Sequence, residues 1–181
     1  MRKCIWLMAL VLFLSGCASA KEFHRGNNVS PKLNPNGSAY ILLPADAMYY
    51  TKVCVGSGNA IAQVISSAFS KRLMKVEVSN SAEDLSVGLN KAKSGNFTYL
   101  ISSKINRWED HVTEWNGELD RIQMELTIYD VQTDAILDSI AIEGNGTWFT
   151  LGGYHPQNIV QKQIDEYSES LFGSERVGAS R

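Results

Sequence analysis

Histidine and cysteine, the residues most often recruited for metal binding and covalent catalysis, are scarce in this 181-residue chain: there are three of each. His24, His111 and His155 lie far apart. A zinc site usually needs two or three His or Cys ligands. A metal centre on His111 with Asp110 or Glu114 is therefore not expected, and neither is any cofactor. Basic excess is also missing. Seventeen Lys and Arg stand against nineteen Asp and Glu, so the chain lacks the positive stripe that nucleic acid requires, and nucleic acid is excluded as a partner. There is no apolar run of the roughly 20 residues that span a bilayer. Gly56-Ser57-Gly58 before a helix has no Lys-Ser/Thr to complete a Walker pattern, which leaves only a weak anion-site signal at a helix start. Of the cysteines, Cys4 and Cys17 belong to the N-terminus. Cys54, between Val53 and Val55, reads as a buried small hydrophobe; a catalytic thiol would need a base beside it, and no His is near in sequence.

What is present begins at the N-terminus. Arg2 and Lys3 precede the apolar run Ile5 to Leu14, and small residues follow, the build of an export signal. Leu14-Ser15-Gly16-Cys17 resembles the lipobox of bacterial lipoproteins. That resemblance implies cleavage after residue 16 and a diacylglycerol on Cys17, which would tie the chain to the lipid bilayer through this anchor. Ala18 and Ser19 imply sorting to the outer membrane, with the domain in the periplasm. Loss of Arg2 and Lys3 brings the basic residues to 15 against 19 acidic ones, a mature net charge of −4. Residues 17–37 are rich in Asn, Pro and Gly without period and read as a flexible tether. About 20 such residues reach roughly 25 Å.

Hydrophobic spacing sets the expected elements. Ala39 to Leu43 is an apolar strand stopped by Pro44, and a brief strand is expected at 52–55. Ile61, Val64, Ile65, Ala68, Phe69 and Leu73 recur at helical spacing. Lys75 to Val78 alternates. Ser81 to Asp84 has capping-box form before a weaker helical stripe of Leu85, Leu89 and Ala92. Residues 97–102 read as a strand, and Ile122, Met124, Leu126 and Ile128 alternate with polar residues. Ile136, Ile140 and Ile142 are expected to point inward from the next strand. A last helix begins at Pro156, where proline is tolerated, and buries Val160, Ile164, Tyr167 and Leu171. The order β-α-β-α-β-β-β-α predicts one compact α/β (α+β) domain over 38–172, a mixed sheet of about five strands with about three packed helices. Residues 173–181 are expected to be a disordered tail.

Two clusters could carry function. The segment from Asn106 to Arg121 holds Trp108, Glu109, Asp110, His111, Glu114 and Trp115. It reads as a long hairpin whose Glu and Arg pair across strands, or, if two carboxylates among Glu109, Asp110 and Glu114 converge at about 5–10 Å, as an acid–base site. The second cluster, Trp148 to Pro156, includes Tyr154 and His155. Trp108, Trp115, Trp148 and Tyr154 look like exposed aromatics, which often anchor interfaces.

Trp108-Glu109-Asp110, Thr113-Glu114-Trp115, Gly117, Asp120-Arg121 and Gly152-Gly153 with His155-Pro156-Gln157 together resemble a family of uncharacterised proteobacterial lipoproteins, a domain of unknown function. Leu43 to Asp46 and Gly56 to Gly58 match its earlier pattern. His111 and Tyr154 depart from it, where Arg and Asp are the expected residues, which weighs against either being catalytic. More distantly, the element order is similar to the small α/β domain of the Tol propeller protein's N-terminus, the curli export lipoprotein and the peptidoglycan-synthase activators. The expectation is therefore a non-catalytic module that binds an envelope protein or polymer, with Trp108, Glu109, Asp110, Glu114, Trp115, Trp148, Tyr154 and His155 as its surface. An envelope hydrolase using the carboxylates of 109–114 is one alternative, and an adaptor of a surface-polymer export or secretion system is another.

Overall fold

The computed structural model describes residues 23–25, 32–110, 120–146 and 155–172. The expected lipidation site Cys17, the expected signal, residues 111–119 and 147–154, and the expected tail lie outside the described residues, and with them His111, Glu114, Trp115, Trp148 and Tyr154.

Strand β2 (Ser38–Leu43) is the centre of the fold because nearly every side chain on it is apolar. Ala39 and Ile41 point to one face, Tyr40 and Leu42 to the other, and all four are buried. It runs parallel to both neighbours, β5 (Lys75–Ala82) and β6 (Tyr99–Glu109). Parallel neighbours need crossovers of a dozen or more residues, which α1 (Ser57–Ser70) and α2 (Leu85–Ser94) provide. The sheet then turns antiparallel through β7 (Arg121–Asp130), β8 (Ile136–Asn145) and a short edge strand β1 (Phe23–Arg25), giving the order β1-β8-β7-β6-β2-β5. Helix α3 (Pro156–Phe172) closes the chain. A two-stranded hairpin, β3 (Met48–Tyr49) and β4 (Lys52–Val53), stands apart from the main sheet. This is the mixed-sheet, three-helix α+β domain that the spacing predicts.

Helices α1 and α3 share one face. Ile61, Ile65 and Phe69 of α1 and Ile164, Tyr167 and Leu171 of α3 meet Ile41, Ile101, Met124, Leu126 and Ile128 there. Under α2 a smaller cluster forms from Tyr40, Leu42, Ala92, Phe97, Leu100 and Val131. Helix α2 sits so close that a methyl on Gly88 would fall 2.3 Å from Leu42 Cδ2. On that side the antiparallel half is polar: Asn106 donates to Glu125, Gln123 to Glu143, and the Thr127 and Ser139 hydroxyls bond at 3.0 Å.

Several expectations are corrected. A register shift between Ile105 and Arg107 moves Trp108, rather than Arg107, onto the core face opposite Ile122, because one extra residue reverses the strand's two-residue phase. A second shift beside Ile128 turns Ile136 outward. Asp138 takes the inward position instead, buried, accepting a hydrogen bond from the Tyr167 hydroxyl at 3.1 Å. Leu85 is exposed, since α2 buries its Gly88–Ala92 face. The capping box does not form: Ser81 still belongs to β5, and Asp84 holds the N-cap position. Inside the span read as a flexible tether, Phe23–Arg25 pairs with β8, and Leu33 is buried with its N–H donating to Leu171 O at 2.7 Å. An unpaired sheet edge and an uncovered core end both favour recruiting nearby chain.

Candidate functional site

The site is built at the end of the sheet where β2, β6 and β8 finish. Its base is a clamp between two distant motifs. Asp46, just past β2, accepts N–H bonds from Gly56 (3.0 Å) and Gly58 (2.8 Å), while the Ser57 hydroxyl accepts the Ala47 N–H at 2.8 Å. The carboxylate thus takes the place that an external anion would occupy at the start of α1. Gly56 has φ +89°, in the left-handed region that suits glycine. A methyl on Gly58 would lie 2.2 Å from the Pro44 carbonyl oxygen. The weak anion-site signal of Gly56-Ser57-Gly58 therefore resolves into an internal cap, and the Leu43 to Asp46 motif is its other half.

Above the clamp opens a cleft of about 520 Å³. The β3–β4 hairpin supplies Tyr49, Lys52 and Val53 to it; Cys54 and Ser57 form the floor, and Trp108, Asp110, His155 and Gln157 the far wall. Asp110 Oδ2 lies 3.3 Å from His155 Nδ1, joining the end of β6 to the start of α3 across 45 residues of sequence. Both side chains are substantially exposed, so the pair adds little stability, at most about 1 kcal/mol. Glu109, on the neighbouring strand position, is engaged by Arg107 Nε at 2.7 Å and by Arg121 Nε at 3.9 Å. Arg107 lies two residues back on the same strand, and Arg121, opposite Glu109 on β7, is the cross-strand partner.

Of the sequence-derived site residues, Trp108, Asp110 and His155 come together at the cleft. Glu109 turns to its arginines. Trp108 departs from the expected exposed aromatic: only 5 % exposed, it packs in the main core and lends the cleft one edge. Cys54 is half-buried rather than fully buried, because its flanking hairpin leaves the cleft open beside it. The sequence reading placed a brief strand at 52–55 but not its partner Met48–Tyr49, and Met48, Tyr50, Val53 and Val55 on and beside this hairpin are exposed. Among the described residues no group of three or more His, Cys, Asp or Glu could hold a metal ion, and no helix is long and apolar enough to cross a membrane.

Comparison with known proteins adds relatives. PelC from Paraburkholderia phytofirmans, solved as a dodecamer, superposes with a TM-score of 0.64 at 13 % identity, over 83 % of this chain and 96 % of that one. The likeness is one of fold. A Xanthomonas campestris protein of the DUF330 family aligns over 81 % of this chain and 87 % of its own, at 10 % identity and a TM-score of 0.47. A lipoprotein from Neisseria meningitidis aligns over 64 % and 88 %, at 8 % identity and a TM-score of 0.40. No curated protein matches the chain significantly in sequence. Residues 31–171 match the family described as a domain of unknown function, DUF4823, and the chain belongs to it.

Proposed function

We propose that the protein is a lipid-anchored module of the bacterial outer membrane that works in the periplasm by binding, not by catalysis. The observation that carries this reading is that the candidate carboxylates Glu109 and Asp110 are each engaged by a basic group, and only Asp110 lines the cleft. Asp110 faces His155, and Glu109 faces Arg107 and Arg121, whereas glycoside chemistry needs two carboxylates converging on one bond. A half-open cleft with one polar ion pair and an apolar wall suits a protein or polymer surface. A photocrosslinking residue in place of Gln157, on the cleft's wall, tests this in intact cells. A discrete adduct with an envelope protein or polymer is expected, and adducts with lipid alone, or none, would overturn it.

A second reading is favoured by one specific observation: PelC, whose fold this chain shares over most of both lengths, was solved as a dodecamer. In that reading the module is a ring-forming adaptor of an export or secretion system. The mass of the detergent-extracted protein separates the two, since a ring requires a defined high-order oligomer and a monomer excludes it.

A further inference from the structure

The two ends of the sheet differ in where the lipid anchor must emerge. Strand β1 runs antiparallel to β8, with Phe23 opposite Ile142 and Arg25 opposite Ile140. Moving from Arg25 back toward the N-terminus therefore follows β8 toward Asn145. The pairings Gly144–Ile122 and Ile122–Trp108 put that end of β8 beside the end of β6, at the cleft. Cys17 lies six residues before Phe23, and six trans residues span at most about 20 Å. The leash available to a lipid on Cys17 is thus short, and it leaves from the cleft end.

That end also carries the molecule's projecting apolar element. On and beside the β3–β4 hairpin, Tyr50 is 87 % and Val55 89 % exposed, with Met48 and Val53 exposed next to them. Tyr50 holds φ +53°, an uncommon conformation for a bulky residue, and stacks edge-on against Tyr49 at 4.7 Å. Lys52 is the hairpin's basic residue, while Asp46 beneath it is turned inward onto the helix cap. Exposed aliphatic groups, tyrosines and a lysine on one tip match the chemistry of the bilayer interface, where an aromatic ring meets both hydrocarbon and water and a lysine meets phosphate. Among the described residues the opposite end offers no such group: Met74, just before β5, and Ile136, at the start of β8, are exposed singly.

We propose that the β3–β4 hairpin is a second membrane contact, resting in the headgroup region of the bilayer that holds the anchor and turning the cleft end of the domain toward the lipid. The contact rests on the reading of Cys17 as lipidated. Its role is orientation: acyl chains on Cys17 fix the domain to the membrane, and the hairpin removes its freedom to tumble on the leash.

The test uses the full mature protein, extracted from membranes and reconstituted into phosphatidylethanolamine–phosphatidylglycerol vesicles. In a Cys54→Ser background, an environment-sensitive fluorophore is placed at Val55→Cys or, as the far-end control, at Met74→Cys. Lipids brominated near the top of the acyl chain should quench the label at 55 several-fold more than the label at 74, with blue-shifted emission at 55 only. Equal quenching at both positions overturns the proposal. Shielding at 55 that brominated lipid does not quench also overturns it, since a second copy or a partner protein would then cover the hairpin. Mass spectrometry of the N-terminal peptide distinguishes the premise: an unacylated chain defeats both readings, whereas an acylated, vesicle-bound chain with an unquenched label at 55 defeats only the hairpin contact.

Discussion

The end of the sheet where β2 and β5 begin is knitted shut, and the end where β2 and β6 finish is left open. At the closed end Thr98 donates its N–H to Ser38 O (3.0 Å) while its hydroxyl accepts the Ser38 N–H (3.1 Å). Val131 donates to Thr98 O, Met74 to Gly37 O, and the Tyr99 hydroxyl accepts the Asn34 N–H at 2.8 Å. Asp130 gathers its own turn, with Oδ1 accepting the Gln132 and Thr133 N–H groups and the Thr133 hydroxyl. At the open end the Asp46 clamp, the Cys54 N–H to Ala47 O bond (2.8 Å) and the Gly146 N–H to Asp120 O bond (2.7 Å) secure the backbone, and the described residues beyond them form the cleft, the hairpin and a solvent-facing ion pair. Rigid support below and unfilled surface above is how binding segments are usually mounted on a scaffold.

The sharpest way to break that contrast is Gly58→Ala. The added methyl meets a main-chain oxygen at 2.2 Å, which only a backbone shift can relieve. A loss of about 3 kcal/mol is expected for overpacking of this kind, read as a lowered midpoint in urea. Asp46→Ala should act at the same joint more gently. It strips the Gly56 and Gly58 N–H groups of their acceptor, as loss of a helix cap does, at about 1–2 kcal/mol. If either variant were neutral, the open end would have no rigid base. At the closed end, Asp130→Ala should cost about 1 kcal/mol near neutral pH. Hydrogen bonds from the Thr133 N–H and hydroxyl, and from the Gln132 N–H, hold the Asp130 carboxyl below its ordinary value. A carboxyl depressed in the folded state contributes stability above its unfolded pKa of about 3.9 and loses it as pH falls through the folded value. The difference between wild type and Asp130→Ala should therefore shrink below about pH 4, measured by urea unfolding at matched ionic strength.

The two ends were also unequally legible. Strand β7 could be read outright, because Ile122, Met124, Leu126 and Ile128 keep one phase from start to finish. Its neighbours could not be read to their ends, since bulges beside Ile105 and Ile128 reverse phase without any local signature, which put Ile136 inside and left Trp108 looking exposed. At the closed end the local turns can be read, Gly95-Asn96 and Asp130 to Asp134 among them, but the bonds that join them to β2 and its approach, Ser38 with Thr98 and Asn34 with Tyr99, span 60 and 65 residues. The open end joins pieces 10 to 45 residues apart, Asp46 with Gly56 and Asp110 with His155, and single-sequence spacing carries no information on encounters of either kind. The composition around Asp110 and His155 was enough to select them as candidates, but their being neighbours was a product of topology.

The smallest expected effect is the most discriminating. His155→Gln removes the imidazole facing Asp110 while keeping a polar side chain at the start of α3. Both groups are substantially exposed, and exposed ion pairs contribute about 0–1 kcal/mol, so the urea midpoint should move by less than that of Asp130→Ala. Yield in the Gln157 crosslinking experiment should fall markedly, because the pair is the polar feature that a partner entering the cleft would meet. Stability without capture is what separates a group that serves a binding surface from one that serves the fold. A His155→Gln variant that loses several kcal/mol would instead mean that the open end is closed by this contact, and the difference between the two ends of the sheet would be one of degree.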